Sequence, residues 1–225
     1  MTVESNNPEQ SDVEAPCIYV IAGPNGAGKS SIIGDVISRQ GVRTFNPDAA
    51  AKQVRAANPS LSTEESNSVA WHEGVRLLRQ AIDNRLTFAF ETTLGGQTIT
   101  ELLESAAATR IDLRIWYVAL TSAELHIQRV KSRVERGGHD IPVDAIRSRY
   151  DQSRSNLIQL LPVLRELWLY DNSLEADPEA GVPPKPRLII HIEKTQIVAT
   201  CPLRETPGWA KPIVAECFRI SRPRS

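Results

Sequence analysis

Apolar residues along the chain alternate between short unbroken runs and stretches at helical spacing. Cys17 to Ala22 is continuous apolar sequence rich in β-branched residues, the mark of a strand buried on both faces. A glycine-rich turn follows, and Ile32, Ile33, Val36 and Ile37 then recur at helical spacing from Ser30 to Gln40. A short strand at 43–46 is stopped by Pro47, and 49–57 reads as a helix. After the break at Asn58-Pro59-Ser60, a long helix runs from Thr63 to about Asn84 with Val69, Val75, Leu78 and Ile82 inward. Strands at 87–91 and 113–120 bracket a helix at 99–109. A helix at 123–135 is broken by Gly137-Gly138 and restarts with Pro142 at its first position, Pro162 being a kink. A fifth strand (167–171), a loop (175–186), a hairpin (187–192 with 196–200) and a helix (207–219) close the chain. Strands alternating with helices predict an α/β fold: a doubly wound, mostly parallel five-stranded sheet with a small C-terminal hairpin and helix.

The 225 residues are 41% hydrophobic and 24% charged, ordinary globular usage. Residues 1–15 are polar and read as a disordered tail, leaving one domain over 16–225. No run nears the ~18 apolar residues of a membrane span. The polar, acidic N-terminus is no signal peptide. Three cysteines without ligand spacing read as reduced thiols, so a cytoplasmic location is expected. His139, at a turn with no second His or Cys beside it, is expected in a hydrogen-bonding role. With a formal net charge of −1, nothing draws the whole molecule to membrane or nucleic acid. Any anion site must be local.

One is spelled out. Gly23-Pro24-Asn25-Gly26-Ala27-Gly28-Lys29-Ser30 fits G-x-x-x-x-G-K-[ST] between a predicted strand and a predicted helix, with Ser31 next. Glycines let backbone N–H groups surround phosphate oxygens, and the helix N-terminus adds partial positive charge. Lys29 reaches the outer phosphates and the Ser30 hydroxyl can ligate Mg²⁺. A nucleoside triphosphate, ATP or GTP, is the expected cofactor with Mg²⁺.

Later residues bear on the fate of the γ-phosphate. Asp48 follows the second strand at the sheet edge where ligands gather. It could take a proton from an acceptor hydroxyl, or it could merely cap the helix from Ala49. Glu91 and Thr92 leave the third strand beside Gly95-Gly96. A carboxylate after three apolar positions is expensive to bury unpaired, which favours a role in the site. The positive charge is lopsided: 6 Lys against 20 Arg, six of the arginines between 129 and 154. Arg129, Arg133 and Arg136 share one helix face before the glycine pair; Arg147, Arg149 and Arg154 follow. An Arg-rich lid at about 129–149, closing over a phosphate, fits that pattern.

Together, I-A-G-P-N-G-A-G-K-S, F-N-P-D, F-E-T-T-L, R-V-x-x-R-V-x-x-G-G-H-D-I-P, R-Y-x-x-S-x-x-N-L and Y-D-N-S resemble the zeta-toxin family of P-loop kinases over about residues 17–175. The resemblance implies a kinase core like that of nucleoside monophosphate kinases, with a lid. It implies Lys29 and Ser30 in the cradle, Asp48 as the base, Glu91 and Thr92 in the substrate pocket with Arg149, and Arg133 and Arg136 as phosphate clamps. Tyr170 to Ser173 would precede the region near the adenine. It further implies UDP-N-acetylglucosamine as acceptor and a small antitoxin as partner. The chain departs from longer members in having little beyond the core, so the kinase assignment carries over better than the sugar.

The reading is an ATP/Mg²⁺-dependent kinase of a small-molecule hydroxyl. Its rivals are a nucleoside or polynucleotide end kinase and a non-kinase P-loop ATPase. Motor ATPases usually carry an acidic strand end, whereas Leu113 to Leu120 contains Arg114 and meets no carboxylate until Glu124.

Overall fold

The computed structural model describes residues 15–29, 41–174 and 186–222. The expected helix from Ser30, the loop over 175–185 and the tail before Ala15 lie outside the described residues.

Among the described residues seven strands form one sheet, in the order β2-β3-β1-β4-β5-β6-β7. They are β1 (Cys17–Ala22), β2 (Thr44–Phe45), β3 (Phe88–Thr92), β4 (Asp112–Ala119), β5 (Glu166–Asp171), β6 (Arg187–Glu193) and β7 (Gln196–Thr200). The first five are parallel. The expected five-stranded sheet is therefore present, but the hairpin is no separate appendage. Strand β6 pairs antiparallel with β5, Leu167 opposite Ile192, and extends the same sheet.

All six residues of β1 are buried. Val20 pairs with Phe90 on one side and Ile115 on the other, so β1 is central. The chain leaves it toward β3 and β2, then returns to β4 on the opposite side. Ala22 ends beside Thr92 and Tyr117. The exits of β1, β3 and β4 thus gather at one edge, around the point where the strand order reverses.

The helices among the described residues are α1 (Pro47–Ala57), α2 (Thr63–Asp83), α3 (Gln97–Ala108), α4 (Ala123–Glu135), α5 (Val143–Leu160) and α6 (Lys211–Ile220). Ser62 and Glu65 form a reciprocal capping box at the start of α2. The side chain of Ser122 caps α4. Pro142 occupies the cap of α5, one position outside the first-turn place expected for it. Leu161–Val163 is a 3-10 turn rather than a kink inside a helix, and Gly208–Ala210 another before α6.

The expected inward face of α2 is corrected in part. Val75, Leu78 and Ile82 are buried, but Val69 is 48% exposed, and Ser66 and Ala70 take the buried positions instead. Gly74 has the same cause: a Cβ there would sit 2.8 Å from the Phe45 ring. Small residues on this face let α2 approach β2 and α1. The main core lies on the sheet face carrying Ile18, Val20, Leu113 and Ile115, under Leu78, Leu103, Leu157 and Ile213 of the helices. No described helix is long and apolar enough to cross a membrane.

Candidate active site

The chain turns sharply after β1. Gly23, Gly26 and Gly28 have φ of +137°, +79° and +84°, a region side chains rarely enter. A Cβ on Gly23 would lie 1.9 Å from the Val118 carbonyl oxygen. A turn that offers amide N–H groups to phosphate must aim its carbonyls elsewhere, and buried carbonyls need donors. Four have them. Lys29 Nζ donates to Gly23 O at 2.8 Å and Pro24 O at 3.3 Å. Asn172 Nδ2 donates to Ala27 O at 2.9 Å. His126 Nδ1 lies 2.7 Å from Asn25 O.

The state of His126 follows from its other nitrogen. The Leu120 N–H donates to Nε2 at 3.2 Å, so Nε2 carries a lone pair and Nδ1 carries the proton toward Asn25. Burial pushes the imidazole down to about 4, with the Asn25 hydrogen bond opposing and the charges of Lys29, Arg129 and Arg154 adding. The ring is neutral at pH 7. Arg149 Nη1 holds the Asn25 side chain, donating to Oδ1 at 2.9 Å.

Glu91 sits on β3 beside the last turn of β1, in register with Ile21. Its carboxylate is not buried alone: Lys29 Nζ is 3.7 Å from Oε1, and Asn46 Nδ2 donates to Oε2 at 2.7 Å. Burial lowers the Lys29 pKa, and Glu91 and then Asp48 oppose it.

The Asn46 side chain also decides between the two readings of Asp48. Its Oδ1 accepts from Ala49 N at 3.0 Å and caps α1. Asp48 lies inside the first turn, so the capping role belongs to Asn46. Asp48 lines a cavity of about 460 Å³ together with Lys29, Glu91, Thr92, Arg149 and Trp71.

One face of α5 holds the loops around this cavity. Arg149 reaches Asn25, and the Tyr150 hydroxyl donates to Thr121 O at 3.0 Å. Ser153 Oγ donates to Thr93 O at 2.7 Å, and Asn156 Nδ2 to Leu94 O at 2.9 Å. With the Ser153 proton so used, the buried Tyr117 hydroxyl donates to Ser153 at 2.9 Å. The R-Y-x-x-S-x-x-N pattern is thus a clamp joining the exits of β1, β3 and β4.

The arm arginines differ among themselves. Arg133 lines not this cavity but its neighbour, with Nη1 4.0 Å from Asp48 Oδ2 and Nη2 donating to His139 O at 3.0 Å. Arg136 lies back along its own helix, donating to Ser132 O at 3.0 Å, and lines neither this cavity nor its neighbour. The glycine pair is a bonded helix ending: Gly137 N donates to Val134 O at 2.8 Å and Gly138 N to Arg133 O at 2.9 Å, with Gly137 at φ +84°. His139 hydrogen-bonds Asn67 at 3.0 Å. Ser30 and Ser31 lie outside the described residues.

Sequence reading missed Asn46, Trp71 and His126. Asn46 had a signal, as an Asn before Pro at a helix start. His126 had only its place four residues before Val130 on the buried side of α4.

The model of a family described as zeta toxin matches residues 2–162. The chain belongs to the zeta toxin family. A relative of Haemophilus influenzae, an uncharacterised protein, is 29% identical over 137 residues, covering 57% of this chain and 88% of its own. The AvrRxo1-ORF1:-ORF2 structure with ATP is similar at a TM-score of 0.64 and 13% identity, covering 95% of this chain and 66% of that one. This zeta toxin family member therefore spans just under two thirds of that structure's length. The PezAT toxin-antitoxin system of Streptococcus pneumoniae is similar at a TM-score of 0.50 and 12% identity, over 72% of this chain and 70% of that one. At such identities the likeness is one of fold, a mostly parallel α/β sheet behind a phosphate cradle.

Proposed function

We propose that this zeta toxin family member is an ATP- and Mg²⁺-dependent kinase, transferring the γ-phosphate to a hydroxyl of a small molecule. One observation carries the reading: Asp48, relieved of capping by Asn46, shares a cavity with the cradle lysine. A carboxylate there is placed to take the acceptor's proton as its oxygen attacks. Lys29 neutralises phosphate, and Arg133 and Arg149 border the path of the transferred group. Family membership and the ATP in the AvrRxo1 structure support nucleotide use; GTP is the alternative donor.

Glu91 and Thr92 offer hard oxygen donors, the chemistry Mg²⁺ prefers, usually with waters and substrate phosphate completing its shell. Ser30 would be the cradle ligand. When bound, the ion would neutralise charge on the β- and γ-phosphates.

Within this reading residues 16–225 form one kinase domain, and the segment of about 129–149 acts as its lid, with Arg133 and Arg136 as clamps. The acceptor is the sugar of a UDP-activated amino sugar such as UDP-N-acetylglucosamine. A small antitoxin is the partner, in line with the PezAT likeness, and the setting is cytoplasmic. The test is γ-labelled ATP with UDP-N-acetylglucosamine, nucleosides and oligonucleotides in parallel. Label on the UDP-sugar supports the proposal. Label on nucleosides or oligonucleotide ends supports an end kinase, and label only in inorganic phosphate an ATPase.

A further inference from the structure

Both ends of the Asn46 amide are engaged. Oδ1 accepts from Ala49 N at 3.0 Å, and Nδ2 donates to Glu91 Oε2 at 2.7 Å. The partners fix the orientation, since an N–H needs an acceptor and a carboxylate needs a donor. The backbone places the group there. Phe45 pairs with Phe90 in parallel register, so the next residue of each strand, Asn46 and Glu91, lie side by side. A proline disfavours helical geometry in the residue before it, and Asn46, before Pro47, is extended at φ −115° and ψ 114°. Capping alone does not call for Asn, because Ser and Asp cap as well. Ser, however, is too short to hold Glu91 too, and an Asp carboxylate has no N–H to offer it.

The contacts continue into the cradle. Glu91 Oε1 lies 3.7 Å from Lys29 Nζ, the two side chains being 15% and 8% exposed. Lys29, Glu91, Asn46 and the first turn of α1 are thus joined in sequence, and Asp48 stands in that turn, two residues after Asn46. Lys29 now donates to Gly23 O and Pro24 O. To grip a phosphate oxygen its ammonium must exchange some of these partners, while His126 and Asn172 keep the rest of the turn in place. A largely buried carboxylate that loses a nearby cation depends more on the donors that remain. Asn46 is one of them, and its other end holds the helix that carries Asp48.

We propose that Asn46 is a positioning residue through which Asp48 responds to the nucleotide. When Lys29 turns to phosphate, Glu91 tightens on Asn46, and Asn46 fixes the first turn of α1 with Asp48 toward the acceptor. The inference rests on the kinase reading for the role of Asp48 and on no particular acceptor.

The test separates the two ends of the amide. Asn46→Ser keeps a cap and loses the hold on Glu91; Asn46→Ala loses both. On the whole chain, three quantities are measured: melting temperature, affinity for a non-hydrolysable ATP analogue and for adenosine, and exchange of the Ala49 amide proton by NMR with and without the analogue. Melting temperature should fall in Asn46→Ala and match wild type in Asn46→Ser. Affinity for the analogue should fall ~10-fold in both variants, within the usual range of coupling between sites. Adenosine binding should change in neither, having no phosphate to draw Lys29 away. In a Glu91→Gln background Asn46→Ser should cost less than ~2-fold, since the charge that Asn46 holds is gone. Ala49 exchange should slow when the analogue is added to wild type and should not respond in Asn46→Ser. A cap with no further role would give Asn46→Ser the affinity of wild type and leave Ala49 indifferent to the analogue. Either result, or an equal loss with and without Glu91→Gln, overturns the relay. Labelled ATP keeps the kinase reading apart. If an acceptor is labelled, kcat should fall ~10–100-fold in Asn46→Ser, as for a misplaced catalytic group, with a smaller change in acceptor KM. If none is labelled while the affinity and exchange results hold, the kinase reading fails and the relay from cradle to α1 stands.

Discussion

On the cradle side of the crevice, Lys29, His126 and Asn172 are 8%, 0% and 4% exposed, and each donates to a carbonyl of the turn. On the arm side, Arg136 rests on its own helix, Arg147 stands 3.8 Å from Glu124 with both groups more than half exposed, and Arg133 keeps 4.0 Å from Asp48. Buried, satisfied networks hold one geometry before any ligand arrives. Exposed ion pairs are worth only ~0–1 kcal/mol and can be exchanged for better partners. The cradle is therefore preorganised, and the arm holds its charge in reserve. Substitutions on the two sides should separate stability from turnover.

The largest effect is expected from Lys29→Ala. Turnover should fall at least ~10³-fold, since the donor to the developing charge is gone. Unlike a surface lysine, Lys29 also serves Glu91 and two carbonyls, so unfolding in urea should show a loss of about 1–3 kcal/mol. A variant as stable as wild type would mean that the cradle does not depend on this network.

Next come the arm residues. Arg133→Lys keeps charge but cannot grip phosphate bidentately, and Arg136→Ala removes a side chain that must swing from Ser132 to act. Each should lower turnover ~10–100-fold while stability stays within about 0.5 kcal/mol. An equal loss of stability on both sides would break the comparison.

A sharper probe is a pair of substitutions at His126. In Asn the amide nitrogen takes the place of Nδ1 and can still donate to Asn25 O. In Gln the end group takes the place of Nε2 and can meet only Leu120. His126→Asn should keep affinity for ATP near wild type, and His126→Gln should lose ~10-fold, about 1.4 kcal/mol, with adenosine binding unaffected in either. Equal losses in both variants, tracking melting temperature, would reduce His126 to packing.

The smallest effect is one of pH. The folded pKa of His126, about 4, lies below the ordinary imidazole value of 6.5. Above pH 6.5 the ring is neutral folded and unfolded. As pH falls from 6.5 toward 4, the unfolded chain takes up a proton that the folded chain refuses, so stability declines across that window. Between pH 7 and pH 6 the loss should be under about 1 kcal/mol, steepening below. Urea titrations should show this component in wild type and not in His126→Asn.

The cradle and the strand–helix alternation were legible because both are local patterns. The hairpin's place in the sheet was not, since it depends on β6 meeting β5 about 20 residues away across 175–185. Val69 was misassigned because apolarity was weighed without volume: Ser66, Ala70 and Gly74 are small, and close approach to Phe45 and α1 selects them. That leaves Trp71 outward, on the wall of the larger cavity. Gly137-Gly138 reads from sequence as a helix break, and its two N–H bonds show how the helix ends; a Cβ on Gly138 would lie 2.6 Å from Arg133 Cγ. Asp48 stayed ambiguous because an Asp near a helix start fits a base and a cap equally. Only the bond from Ala49 to Asn46 separates them.

The central claim is that Asp48 serves an acceptor hydroxyl and not the helix. It is tested most directly by Asp48→Asn, with ATP binding, acceptor phosphorylation and melting temperature measured on one preparation. The amide keeps the shape and cannot take a proton. ATP affinity and melting temperature should match wild type, while transfer falls ~10²–10⁴-fold, the usual size of a general-base effect. Transfer at the wild-type rate would contradict the account and move the role of base to Glu91.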